Sequence, residues 1–113
     1  MCTMWIDGYN GVAHHLKQNV DFAIAAAADP PALRAHARAR GWNRLRLLSC
    51  GTNTFKRDLK SEDAEGRQDS TMSVFTKDAD GSVRHFYTAH PSMAEDIHER
   101  GIDLLTPSIT CWI

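Results

Sequence analysis

Apolar residues recur at Trp5, Tyr9, Val12 and Leu16, at intervals of four, three and four. That spacing aligns side chains on one face of an α-helix and predicts a helix from about Met4 to Gln18. Gly8 and Gly11 fall inside it. Each glycine costs roughly 1 kcal/mol against alanine in a helix interior, so this helix depends on packing against the rest of the fold. The run Val20 to Ala28 (VDFAIAAAA) is apolar after Asp21, as expected for a strand buried on both faces. Asp29 stands where an N-cap belongs, Pro30 and Pro31 suit a first turn, and Gly41 suits a left-handed C-cap. Together they predict a helix over 31–40. Leu33 and Ala37, four apart, would face a sheet, while Arg34, Arg38 and Arg40 would line the solvated side. Residues Arg44 to Cys50 (RLRLLSC) alternate and then turn apolar, which predicts a second strand.

From Gly51 to Ser70 the chain is polar and carries both charges, with Phe55 and Leu59 at helical spacing. One short helical turn inside a long loop is expected there, and loops of that length tend to be functional or mobile. The strongest local pattern follows. Two strand-like runs between Thr71 and His90 flank Asp80–Gly81, a dipeptide favoured in two-residue type I′ hairpin turns. That turn would pair Phe75 with Phe86 and Val74 with Tyr87, each cross-strand pair contributing roughly 0.2–1 kcal/mol. Ser92 and Glu95 form an S-x-x-E capping box and Gly101 a stop, so a helix from Met93 to Arg100 is expected. The order of these elements predicts an α/β fold with a mixed sheet and flanking helices.

A chain of 113 residues suffices for one core and not for two, so a single domain over 1–113 is expected. The 13 Lys and Arg nearly cancel the 14 Asp and Glu, for a net charge of −1. This creates no field of one sign to draw in nucleic acid. The first twenty residues include Asp7, His14, His15 and Lys17, so they read as neither a signal peptide nor a membrane span, and a cytoplasmic location is the expectation. Cys2, Cys50 and Cys111 are odd in number and widely spaced, unlike a disulfide framework or a zinc site of paired knuckles. The six histidines show no ligand motif; His14 and His15, being adjacent, would point to different helix faces. No metal or cofactor is implied.

Cys2 precedes the first helix, where unpaired amides and the helix dipole lower a thiol pKa. Two roles fit it: a redox thiolate, or a terminal residue with no function. Cys50, at the end of an apolar strand, suits a small buried hydrophobe, and Cys111 lies in the apolar tail 108–113.

At MCTMWIDGYNGVAHHL and again at FYTAHPSMAEDIHERGIDLLTP, the sequence resembles a bacterial family of unknown function whose members are predicted to be thioredoxin-like dithiol–disulfide oxidoreductases. The resemblance runs to about Thr106. In members with the redox motif, an apolar strand leads into a CxxC-type segment, and a Trp or Phe, an Asp and a Gly then open the first helix. Cys2, Trp5, Asp7 and Gly8 look like the second half of that segment. The family's attacking cysteine and its leading central strand have no counterpart, and the tail after Pro107 diverges from the family pattern. Ser70 and Thr71 stand where typical thioredoxins place a proline.

The resemblance implies a thioredoxin-like fold lacking its first central strand, with Cys2 as a resolving thiol and Trp5 and Asp7 shaping its surroundings. It implies a protein or small-molecule thiol or disulfide as substrate. Without the central strand, two sheet edges would stand open. A homodimer, a swapped segment, or insertion of the tail Ser108 to Ile113 is therefore expected. The alternative function is a non-catalytic interaction module that uses the hairpin and the 51–70 loop.

Overall fold

The computed structural model describes residues 2–90, and the expected helix over 93–100, Cys111 and the tail 108–113 lie outside them. The elements run α1 (Cys2–Leu16), β1 (Ala23–Ala26), α2 (Pro30–Arg40), β2 (Arg46–Ser49), α3 (Phe55–Asp58), β3 (Met72–Lys77) and β4 (Val83–Ala89). The protein is thus a mixed α/β structure. Each helix and strand forms where the sequence pattern places one, with the ends moved by a few residues. The strands expected over 20–28 and 44–50 both shorten to four residues.

α1 buries Trp5, Tyr9 and Ala13, a stripe spaced by four, and leaves Val12 and Leu16 half-buried at its margin. Tyr9 also packs on Phe22, with ring centroids 4.9 Å apart. Gly11 lies on the exposed side, with nothing within 4 Å of where a Cβ would stand. Gly11→Ala is therefore expected to stabilise the fold by roughly 0.5–1 kcal/mol. A thermal melt that falls instead would show that this side of α1 is covered.

α2 has the ends its sequence encodes. Asp29 accepts a hydrogen bond from the Ala32 amide at 3.4 Å, and the prolines occupy the first turn. Gly41 adopts φ 72°, donating to the Arg38 carbonyl at 3.2 Å while Trp42 N–H donates to Ala37 O at 2.9 Å. These two bonds form a Schellman motif. It returns the chain sharply, so that Trp42 joins Leu33 and Ala37 in the core.

β1 and β2 pair in parallel, with Ala23 opposite Arg46 and Ala26 opposite Ser49, and α2 connects them. β1 is half-buried along its whole length, not fully buried as expected, because only one of its edges has a strand partner among the described residues. β2 is exposed except at Leu47. Where the chain leaves these strands, Gly51 passes so close to Ala27 that a Cβ on it would stand 2.8 Å from the Ala27 carbonyl oxygen.

β3 and β4 form a separate antiparallel pair, so the described residues hold two two-stranded sheets in place of the single mixed sheet expected. No hydrogen-bonded strand joins β1 to β3 among these residues. Between the sheets, residues 51–70 are tied internally and do not form a plain loop. Asp63 accepts from the Glu65 and Arg67 amides at 3.0 and 2.8 Å, a bridge joins Glu62 to Gln68, and buried Ser61 bonds Thr71 through their hydroxyls.

The hairpin corrects the expected turn. Asp80 is not at positive φ, whereas Gly81 is, at 88°, and a type I′ turn needs both. The Gly81 amide donates to Asp78 O at 3.0 Å, and Asp78 N–H donates to Ser82 O at 2.8 Å. The loop is thus three residues, Ala79 to Gly81, closed by glycine in the left-handed region. One extra loop residue shifts the register, so Phe75 pairs with His85 and not with Phe86. A bulge between Val74 and Phe75 then leaves Phe86 as the additional residue on β4. Beyond it, Val74 faces Tyr87, the pairing the sequence predicts. Ser73 and Thr88 meet through their hydroxyls at 2.9 Å.

Candidate functional site at the start of the first helix

Cys2 is the first residue of α1. Trp5, three residues on, lies about 60° around the helix from it, whereas Asp7 lies about 140° around, on another side. Trp5 is in the core, 7 % exposed. The Asp7 carboxylate is held by groups from α2 and its exit. It accepts from Trp42 Nε1 at 2.6 Å and from Arg40 Nε at 3.4 Å, with Arg40 Nη2 closing an ion pair. These bonds, the one from Arg40 foremost and then that from Trp42, hold the Asp7 carboxyl below its ordinary value, and partial desolvation opposes them.

Arg40, expected on the solvated side of α2, is instead committed to Asp7. The His36 ring packs edge-on to Trp42, with centroids 5.1 Å apart. Asn10, one turn after Asp7, donates to Gly41 O at 3.3 Å and accepts from the Arg44 amide at 3.1 Å. Lys17 Nζ donates to Arg44 O at 2.7 Å. Positions 7, 10 and 17 form a polar stripe beside the apolar stripe 5, 9 and 13, and together they lock α1 against the α2–β2 connection. Asp7 thus works in helix docking. Sequence reasoning passed over Trp42, Arg40 and Asn10; the signal for the first was a tryptophan directly after a helix-ending glycine.

Among the described side chains the thiol is that of Cys50. Cys50 is free, 5 % exposed, and its amide donates to Ala26 O at 2.9 Å. Burial pushes its thiol pKa up, with Glu62 adding to the shift and Lys56 opposing it. A thiol so placed stays protonated and is a poor nucleophile.

At the far end of α1 an open depression of about 440 Å³ is bordered by Lys17, Val20, Phe22 and Arg46. Its charges are spent locally: Arg46 pairs with Asp21. Among the described residues no three His, Cys, Asp or Glu side chains group as metal ligands do. The adjacent His14 and His15, expected on different helix faces, bring their rings to 3.9 Å of one another at the helix end. No helix of the described residues is long and apolar enough to cross a membrane.

A family profile describing bacterial proteins of unknown function, DUF899, matches residues 1–112. The chain belongs to this family. The match takes in the whole of the α1 site, so Cys2, Trp5 and Asp7 are DUF899 positions and so are the Trp42 and Arg40 partners that fix Asp7. No curated protein and no solved structure matches the chain.

Proposed function

We propose that this DUF899 chain is a thioredoxin-like thiol–disulfide oxidoreductase in which Cys2 supplies the thiolate. The observation that carries the reading is the place of Cys2 as the first residue of a 15-residue helix. The first amides of a helix have no intrahelical acceptor, and the positive end of its dipole favours a sulfur anion there. Trp5 and the polar stripe of Asp7 and Asn10 keep the helix start fixed relative to α2. The parallel β1–α2–β2 unit followed by an antiparallel hairpin is compatible with a thioredoxin-like arrangement.

The chemistry balances with one protein thiol. Cys2 thiolate attacks one sulfur of a substrate disulfide, the S–S bond breaks, and the other sulfur leaves as a thiolate. An external thiolate then attacks the substrate-derived sulfur's partner on Cys2, releasing the second substrate thiolate and leaving Cys2 joined to the external thiol. A second external thiolate frees Cys2. The substrate disulfide gains two electrons, and two small thiols are joined as a disulfide.

The test is the rate of alkylation by iodoacetamide as a function of pH, followed for each cysteine peptide by mass spectrometry so that the native thiols are retained. Cys2 is expected to react with an apparent pKa below the usual value of about 8.5, with Cys50 as the slow internal reference. A value at or above 8.5 for Cys2 would remove the basis for a redox role.

A second reading has its own observation. Phe75, Val83, Phe86 and Tyr87 are 42, 65, 73 and 44 % exposed, all on the hairpin. Such a concentration of exposed aromatic surface suits a protein-interaction module, and an inert Cys2 would leave that as the better account.

A further inference from the structure

Asn10 is followed directly by Gly11. Asparagine is among the chemically labile residues, and it loses its side-chain amide most readily before glycine, which has no Cβ to hinder ring closure by the next main-chain nitrogen. In this chain the same asparagine holds α1 in place. Its Oδ1 accepts from the Arg44 amide at 3.1 Å and its Nδ2 donates to Gly41 O at 3.3 Å. The two partners fix which end is which, since a main-chain N–H requires an oxygen opposite it and a carbonyl requires an N–H. Asn10 is half-buried and Gly11 exposed, on a side of α1 where nothing packs among the described residues.

We propose that Asn10–Gly11 is a modification site: a spontaneous deamidation that the docking of α1 on the α2–β2 connection holds back, and whose product releases that docking. The Gly11 main-chain nitrogen gives its proton to hydroxide or water and attacks Asn10 Cγ. A C–N bond forms, the Cγ–Nδ2 bond breaks, and the amide leaves as ammonia. Water then opens the cyclic imide at either of its carbonyls. One opening gives aspartate in an unaltered main chain; the other gives isoaspartate, in which the main chain runs through the former side chain. An amide and a water become a carboxylate and an ammonium ion, and no electrons are transferred.

Two features restrain the reaction in the folded chain. Within α1 the Gly11 amide is bonded to the carbonyl one turn back, and helical ψ at Asn10 keeps that nitrogen away from Cγ. Both ends of the Asn10 side chain are also anchored to the α2–β2 connection. Reaction therefore proceeds through opening of α1. Gly8 and Gly11 lower the helix's own stability, and its polar ties through Asp7, Asn10 and Lys17 include bonds open to solvent. Deamidation then closes the way back. A carboxylate at position 10 still accepts from the Arg44 amide, but it sets an oxygen against Gly41 O where an N–H stood. Isoaspartate in addition breaks the helical spacing between Asp7 and Lys17. The proposal draws nothing from the redox reading of Cys2.

The test follows deamidation of Asn10 by peptide-mapping mass spectrometry on the full chain at mildly alkaline pH, folded and in unfolding urea. Asn10 is expected to react about tenfold or more slowly in the folded chain than in urea. Arg40→Ala breaks the neighbouring pair with Asp7; it is expected to raise the folded rate roughly two- to fivefold and to leave the rate in urea unchanged. Urea below the unfolding transition should accelerate the parent chain in the same way, an arm that holds even if Arg40→Ala fails to fold. Gly11→Ala should suppress the reaction in unfolding urea, where helix stability plays no part. Asn10→Asp, the product itself, is expected to melt about 4–8 °C below the parent. Equal rates in the folded chain and in urea would overturn the restraint, as would a folded rate that neither Arg40→Ala nor low urea changes. Undiminished reaction in Gly11→Ala would overturn the ring closure, and an Asn10→Asp protein that melts with the parent would overturn the release of α1.

Discussion

Replacing Gly51 by alanine is expected to destabilise the fold by roughly 1–3 kcal/mol, the usual range for overpacking. For a chain of this size that corresponds to a drop in thermal midpoint on the order of 5–15 °C. The reason is local and steric. The new Cβ would stand 2.8 Å from the Ala27 carbonyl oxygen and 3.3 Å from its carbon. Both are backbone atoms, so no side chain can rotate away. Relief requires the exits of β1 and β2 to separate, at the point where Cys50 N–H donates to Ala26 O. The same substitution at Gly11, where nothing lies within 4 Å, has the opposite expected sign. Measuring the two variants side by side separates a steric effect from a general response to glycine replacement. Equal melting temperatures for Gly51→Ala and the parent protein would show that the strand exits are loosely held.

Asp7→Asn is expected to lower the melting temperature at neutral pH by several degrees, and to do so in a pH-dependent way. Its carboxylate joins α1 to Arg40 and Trp42, and those bonds hold its pKa below the ordinary 3.8. A carboxyl whose native pKa is depressed contributes stability that is fully present above its unfolded value and is lost as pH falls through the native value. The difference between parent and variant should therefore be constant at neutral pH and shrink below 3.8 as Asp7 itself becomes protonated. Thermal melts at pH 7 and in the acid range below 3.8 provide the check. A difference that does not shrink would assign the loss to packing around Trp42 and not to the charge.

What the sequence makes legible is whatever is settled within about one helical turn. The ends of α2 are of this kind: Asp29 meets the Ala32 amide three residues away, and Gly41 needs only its own freedom at positive φ. The apolar stripe of α1 is local as well, since it follows from helical period. The partners of Asp7 are not local. Arg40 and Trp42 lie 33 and 35 residues from it, and nothing in the spacing of charges distinguishes an arginine that reaches α1 from Arg34 or Arg38, which do not. Asp7 is a candidate only through the family resemblance at the start of α1, while its docking contacts belong to the tertiary structure.

The hairpin shows the same division. Its existence and the Val74–Tyr87 pairing follow from alternation. Its turn type depends on whether Asp80 joins Gly81 at positive φ, an energetically close choice for the Asp–Gly pair. The extra residue at Phe86 follows from that choice. The separation of the strands into two small sheets depends on which edges meet, and periodicity within a strand carries no information about that.

The two irregularities of the hairpin have opposite effects on register. The third loop residue at the tip advances it by one, and the additional residue at Phe86 sets it back. The root of the hairpin, with Met72 opposite Ala89 and Ser73 opposite Thr88, is thereby insulated from events at the tip. An insertion or deletion near Ala79 can be absorbed where Phe86 sits, without turning Val74 or buried Ala89 to the wrong face. The outer half of the hairpin is then free to change in length and composition between relatives, while its inner half stays bound to the core.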